Sequence, residues 1–208
     1  KVLQPGEVYV VNQTTPILKP EESCAGLIDV HATGEVTFSI VSMKETSSYQ
    51  NYTYLPNCPK NSTHIRGTFP NATLHMSYTL SGDQLEKIVL GREDAFDNYY
   101  ISGVDKLTGE SVVNKGNRGV VQQLTITAEE KVGILFNPRG SIYKGVLLNT
   151  DGTICTLSTS GIMQGIKEGS TVCVIEKGQT VTITYLPPSG SDTPLLLVSI
   201  PYDQWDEY

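Results

Sequence analysis

The stretch Leu74-His75-Met76-Ser77-Tyr78-Thr79-Leu80 alternates apolar and polar residues without a break. Successive side chains of a strand point to opposite faces, so this period of two predicts a half-buried β-strand. The same period recurs in Val36, Phe38 and Ile40, in Leu124, Ile126 and Ala128, and in Val132, Ile134 and Phe136. Glu7 to Val11 forms a first apolar run. Val146-Leu147-Leu148 enters the turn signal Asn149-Thr150-Asp151-Gly152 and returns as Thr153-Ile154-Cys155-Thr156-Leu157, a hairpin pattern. Val172 to Ile175 turns at Glu176-Lys177-Gly178-Gln179 and returns as Val181 to Tyr185, while Leu195 to Ile200 reads as a last, fully apolar strand. The one helical candidate is Asp83 to Leu90, with Asp83 as cap and Leu85, Ile88 and Val89 on a shared face. Strands at intervals of about 8–12 residues, with turns between them, predict an all-β chain folded as an Ig-like β-sandwich.

Composition agrees with strands and turns. Of 208 residues, 22 are Thr, 17 Ser, 19 Gly, 11 Pro and 11 Tyr, and only 18% are charged. Such a chain is neither a coiled coil, a collagen nor a highly charged disordered segment. The net charge of -7, with four Arg, argues against a nucleic-acid partner. No apolar run approaches the roughly 18 residues of a membrane span. The chain opens Lys1-Val2-Leu3-Gln4 without Met, the expected look of a mature secreted product, although a cloned fragment would start the same way.

Four cysteines, Cys24, Cys58, Cys155 and Cys173, show no C-x-x-C spacing, which argues against a zinc or thioredoxin-like site. An even count in a secreted chain favours disulfides over buried free thiols. Nearest neighbours would pair as Cys24–Cys58 and Cys155–Cys173, one of three connectivities, the second clipping a local hairpin. Asn-x-Ser/Thr sequons at Asn12, Asn51, Asn61 and Asn71 are roughly twice what chance gives in so Thr-rich a chain. Three recur at ten-residue intervals in a polar segment carrying Pro56, Pro59 and Pro70, so covalent N-glycans are the expected modification, with accidental sequons as the alternative.

Catalytic patterns are missing. His31, His64 and His75 share no ligand spacing, and neither H-E-x-x-H, G-x-S-x-G nor a phosphate loop occurs. The cluster Glu93, Asp94 and Asp97 lacks the spacing of a calcium loop and reads as a solvated acidic loop, as do Asp203, Asp206 and Glu207. We expect no enzyme activity, metal or cofactor.

The arrangement of the N-terminus carries more. Val8, Tyr9, Val10 and Val11, followed by Ile17 and Leu18, make a strand-like arm interrupted by Pro16 and closed by Pro20. Such an arm can pair at home as an ordinary first strand, or in a neighbour as a donated strand, which propagates into a filament. This predicts residues 1–20 as a donor-strand tail and linker ahead of a head at 21–208.

The Lys1 start, the strand before Pro16 and Pro20, the four sequons and the hydroxyl-rich, charge-poor composition together resemble the thread pilins of thermoacidophilic archaea. The likeness is one of length, type and order over most of the chain. It implies a pilin-like β-sandwich head with an N-terminal donor strand and identical subunits joined head to tail. It further implies an extracellular, N-glycosylated cell-surface filament serving adhesion or biofilm. Low charge suits acid surroundings, since ordinary carboxylates discharge near pH 4 and stability resting on their pairs is lost there. The alternative is a monomeric secreted glycoprotein that binds carbohydrate, with Tyr49, Tyr52 and Tyr54 as an aromatic platform beside Asn51.

Overall fold

A computed structural model describes residues 65–92, 100–139, 142–143, 146–156, 163–164, 169–187 and 193–207, together with 2, 4, 7, 31–36, 41, 56 and 57. The chain divides into two compact units, Lys1–Lys60 and Asn61–Tyr208. The expected boundary after residue 20, the donor-strand residues and the strand expected at Phe38 and Ile40 lie outside the described residues.

In the second unit the strands are, in chain order, β1 (Thr73–Leu80), β2 (Glu86–Leu90), β3 (Ser102–Val104), β4 (Ser111–Val113), β5 (Val121–Ala128), β6 (Val132–Asn137) and β7 (Ile142–Tyr143). There follow β8 (Val146–Leu148), β9 (Ile154–Thr156), β10 (Met163–Gln164), β11 (Ser170–Ile175), β12 (Thr180–Tyr185) and β13 (Leu195–Pro201). A 3-10 turn, Tyr202–Glu207, closes the described chain.

Two sheets carry the core. One has the order β1-β5-β12-β8-β9 and the other β11-β6-β13-β2. The alternation read from Leu74 to Leu80 holds: Leu74, Met76 and Leu80 are buried, and His75, Ser77 and Thr79 face outward. β1 lies parallel to β5, with Leu74 beside Gln122 and Leu80 beside Ala128. Leu124, Ile126 and Ile183 from the first sheet meet Ile134, Phe136, Leu195 and Leu197 from the second in one continuous core. The chain is therefore an all-β sandwich, as the periodicity predicts. Full burial of each such side chain contributes roughly 1.5–3 kcal/mol, which makes this core the main source of stability.

Two expectations are corrected. Asp83 to Leu90 is not a helix. Its second half is β2, an edge strand paired antiparallel with β13. Ile88 and Leu90 are buried while Leu85 is exposed, a period of two. Over so short a run both periods fit, and the apolar strand β13 supplies ladder bonds that a single turn of helix cannot match. The turn Glu176-Lys177-Gly178-Gln179 also does not make a hairpin: β11 pairs with β6, and β12 with β5 and β8. It is an arch from one sheet to the other, pinned where Ala128 N donates to Gln179 O and Gly178 N to Ala128 O.

Gly133 is set by packing. A Cβ there would lie 2.0 Å from the Trp205 ring, so only glycine lets the C-terminal turn seat its indole on β6. Lys131 sits over the Tyr202 ring at 3.9 Å and holds the same turn from its other side.

Candidate functional site: the edge strands and the thiol seam

Each sheet ends in two strands, and the ends meet in pairs. On one side β1 and β2 follow one another directly in the chain. On the other side β9 and β11 come together. β11 carries a bulge between Thr171 and Cys173, which takes Val172 out of the ladder with β6. A bulge leaves backbone groups that the partner strand cannot satisfy. Here side chains from the β8–β9 hairpin do so. Asn149 Nδ2 donates to Val172 O at 3.3 Å. The Cys155 thiol donates to Thr171 O at 3.2 Å and reaches Val172 O at 3.4 Å.

Cys155 thus lies against the peptide that leads into Cys173, and both are free thiols in this structure. A bond between them would not clip a hairpin, because β9 and β11 belong to different sheets. Both side chains are half-buried against the core. Burial pushes the Cys173 thiol up to about 11, with the neighbouring Cys155 adding to the shift. Burial raises Cys155 as well. Neither is therefore an activated nucleophile of the catalytic kind, which needs a depressed pKa.

Of the four sequons, only Asn71 is described. It is exposed, directly ahead of β1, in a shallow open depression lined by residues from Pro70 to His75. Asn12, Asn51, Asn61, Cys24 and Cys58 lie outside the described residues, as do Tyr49, Tyr52, Tyr54 and the acidic run at 93–97. His75 is solvent-facing, as its place on the polar face predicts. Among the described residues no three His, Cys, Asp or Glu side chains come together as a metal site, and no helix is long and apolar enough to cross a membrane.

Two features had no sequence signal. At one end of the core Gln122, Tyr143 and Tyr185 are fully buried with their side-chain polar atoms unpartnered. Burial raises both phenols, so they stay neutral. The second is the β3–β4 ribbon, whose Asp105 is 2% exposed and takes a two-pronged ion pair from Arg66, at 3.1 Å from Nε and 2.7 Å from Nη2. The guanidinium holds the carboxyl well below the usual range, at about 2. A depressed carboxylate pKa stabilises the fold above its ordinary value of 3.8 and ceases to as pH falls through about 2. This pair therefore survives at pH 3–4, where ordinary carboxylate pairs are discharging.

The fold defines the class: an all-β sandwich with paired sheet edges. No family model, characterised protein or solved structure matches the chain.

Proposed function

We propose that the chain is a structural subunit of an extracellular filament, polymerising head to tail by strand donation, with N-glycans on its surface and a role in adhesion or biofilm. It needs no cofactor and catalyses no reaction. The observation that carries this reading is a sandwich whose two sheets both end in strands along their sides, combined with a strand-like apolar arm before Pro16 and Pro20 in the sequence. A strand in water leaves its own N–H and C=O groups without protein partners, and a sheet edge offers them. Donation between copies satisfies both and propagates because the contact is heterologous. The prolines keep the arm extended rather than folded back on its own head. The exposed Asn71 suits the same reading, since a glycan there would stand beside edge strand β1 and blunt unwanted pairing.

The test is deletion of residues 1–11 from the secreted full-length chain, followed by negative-stain microscopy and thermal unfolding. Full-length protein should form long thin fibres. The truncated protein should stay unpolymerised and less stable, and a peptide spanning residues 1–20 should restore the stability. Normal fibres from the truncated chain, or a stable monomer from the full-length one, would favour the solitary glycan-binding sandwich instead.

A further inference from the structure

We propose that Cys155 and Cys173 are a disulfide-forming pair that staples the two sheets of the sandwich together across the β9–β11 seam. This goes beyond filament formation and does not depend on it. Three observations carry it.

The first is distance. Cys155 Sγ lies 3.4 Å from Val172 O, and that oxygen belongs to the peptide whose nitrogen is Cys173. In a planar trans peptide the carbonyl oxygen sits about 2.8 Å from the next Cα, so Cys155 Sγ is within about 6 Å of the Cys173 Cα. The two side chains are therefore near neighbours, and a disulfide forms between them if a change of rotamer and a small backbone shift bring the Cα atoms within about 7 Å. The second is local backbone. The bulge between Thr171 and Cys173 takes Val172 out of the ladder directly ahead of Cys173, so the backbone there can shift while the pairs Cys173↔Ile134, Val174↔Gly133 and Ile175↔Val132 hold. The third is surroundings. Both sulfurs are half-buried among apolar neighbours, so the bond would replace two weakly bonded thiols at little loss of contact. The Val172 carbonyl keeps its bond from Asn149.

The oxidant is a small-molecule disulfide. Cys155, the more accessible of the two, loses its proton to solvent and attacks one sulfur of the small disulfide. The S–S bond breaks and a small thiolate leaves. Cys173 then loses its proton and attacks Cys155 Sγ in the mixed disulfide, releasing the second small thiolate. The protein loses two protons and two electrons, and the small disulfide takes them up to become two thiols. Because both protein thiols are raised by burial, the reaction should go on speeding up as pH rises past the ordinary thiol value of 9.0.

The experiment treats the full chain with cystamine at pH 8.5 beside a sample kept in a phosphine reductant, then blocks remaining thiols by alkylation. Unreduced peptide mapping should recover Cys155 joined to Cys173. The oxidised protein should melt about 6–12 °C above the reduced one, from a closed loop of this size in a domain of this size. A Cys24→Ser/Cys58→Ser variant should keep the whole gain, and adding Cys173→Ser should abolish it. Recovery of Cys155 and Cys173 alkylated after oxidation, pairing of either with Cys24 or Cys58, or a cross-link without any rise in melting temperature each overturns the staple. The first comparison uses one protein in two redox states, so it does not depend on how the variants fold.

Discussion

On one side of the sandwich β1 runs into β2 through the short link Ser81–Leu85, while on the other side-chain bonds join the β8–β9 hairpin to β11 among the described residues. The first side is closed by the chain itself. Gly82 turns with a φ of 74°, and the Glu86 carboxylate gathers the link, accepting from Ser81 N at 2.8 Å and Ser81 Oγ at 3.2 Å. The second side is closed by an amide and a thiol bonding carbonyls that a bulge has exposed. A link as short as Ser81–Leu85 holds two strand ends together, whereas a seam of side-chain bonds can open and can be reinforced. The two thiols stand on the side closed by side-chain bonds, where a covalent cross-link would add most.

The largest break in this comparison comes from the covalent side. A Cβ added at Gly82 would lie 2.9 Å from Glu130 Cβ and 3.0 Å from the Glu130 carbonyl oxygen, and the positive φ is closed to a β-branched residue. Gly82→Val should cost about 3 kcal/mol or more, from backbone strain and overpacking together. Chemical denaturation of the reduced protein measures it. A loss under about 1 kcal/mol would show that the link yields and that the β1–β2 side is not the rigid one.

A smaller effect is expected at the seam. Asn149→Ala removes the donor to Val172 O and the 3.3 Å bond from Nδ2 to Thr153 Oγ1. The expected cost is about 0.5–1.5 kcal/mol in reduced protein, the usual net worth of a hydrogen bond, since Val172 O keeps its contact with the Cys155 thiol. With the staple formed, the same substitution should cost more, because Cys155 no longer has an S–H to donate and Asn149 is then the donor left to Val172 O among the described residues. A double-mutant cycle with Cys155→Ser reads that coupling. Equal costs in both redox states would separate the amide from the thiols and remove the idea of one shared seam.

How far the sequence carried depended on whether a signal was local. Strict alternation marked β1, β5 and β6, and the turn at Asn149–Gly152 marked β8 and β9 as a hairpin, because both patterns are set by near neighbours in the chain. Pairing partners were not legible. Nothing local says that β1 joins β5 in parallel, or that β11 and β12 part into opposite sheets across a four-residue turn. Two-residue strands such as β7 and β10 are too short to show any period. The site followed the same rule. The spacing of Cys155 and Cys173 suggested their pairing, but the seam between them needs a bulge and Asn149, which only the tertiary fold brings together. The Arg66–Asp105 pair joins residues far apart in the chain and left no trace in any pattern.

The smallest expected effect is electrostatic, at the tip of the hairpin that feeds the seam. Asp151 Oδ1 accepts from Thr153 N at 2.9 Å and from Thr153 Oγ1 at 2.6 Å. Those two bonds hold the carboxyl below its ordinary value of 3.8. Its contribution should therefore be complete above that value and fade as pH falls through the lowered one. Asp151→Asn keeps an acceptor oxygen without the charge, so it should lower the melting temperature slightly at pH 5. The gap from wild type should then close as pH falls well below 3.8. Asp105, held at about 2, is present in both proteins, so its loss cancels in the difference. Because Asp151 is exposed, the gap is expected to be no more than a degree or two, consistent with the small worth of surface charge interactions. A gap that stays constant from pH 5 to pH 2 would show that the turn rests on hydrogen-bond geometry alone. The β9–β11 side would then be adjustable by redox state but not by acid.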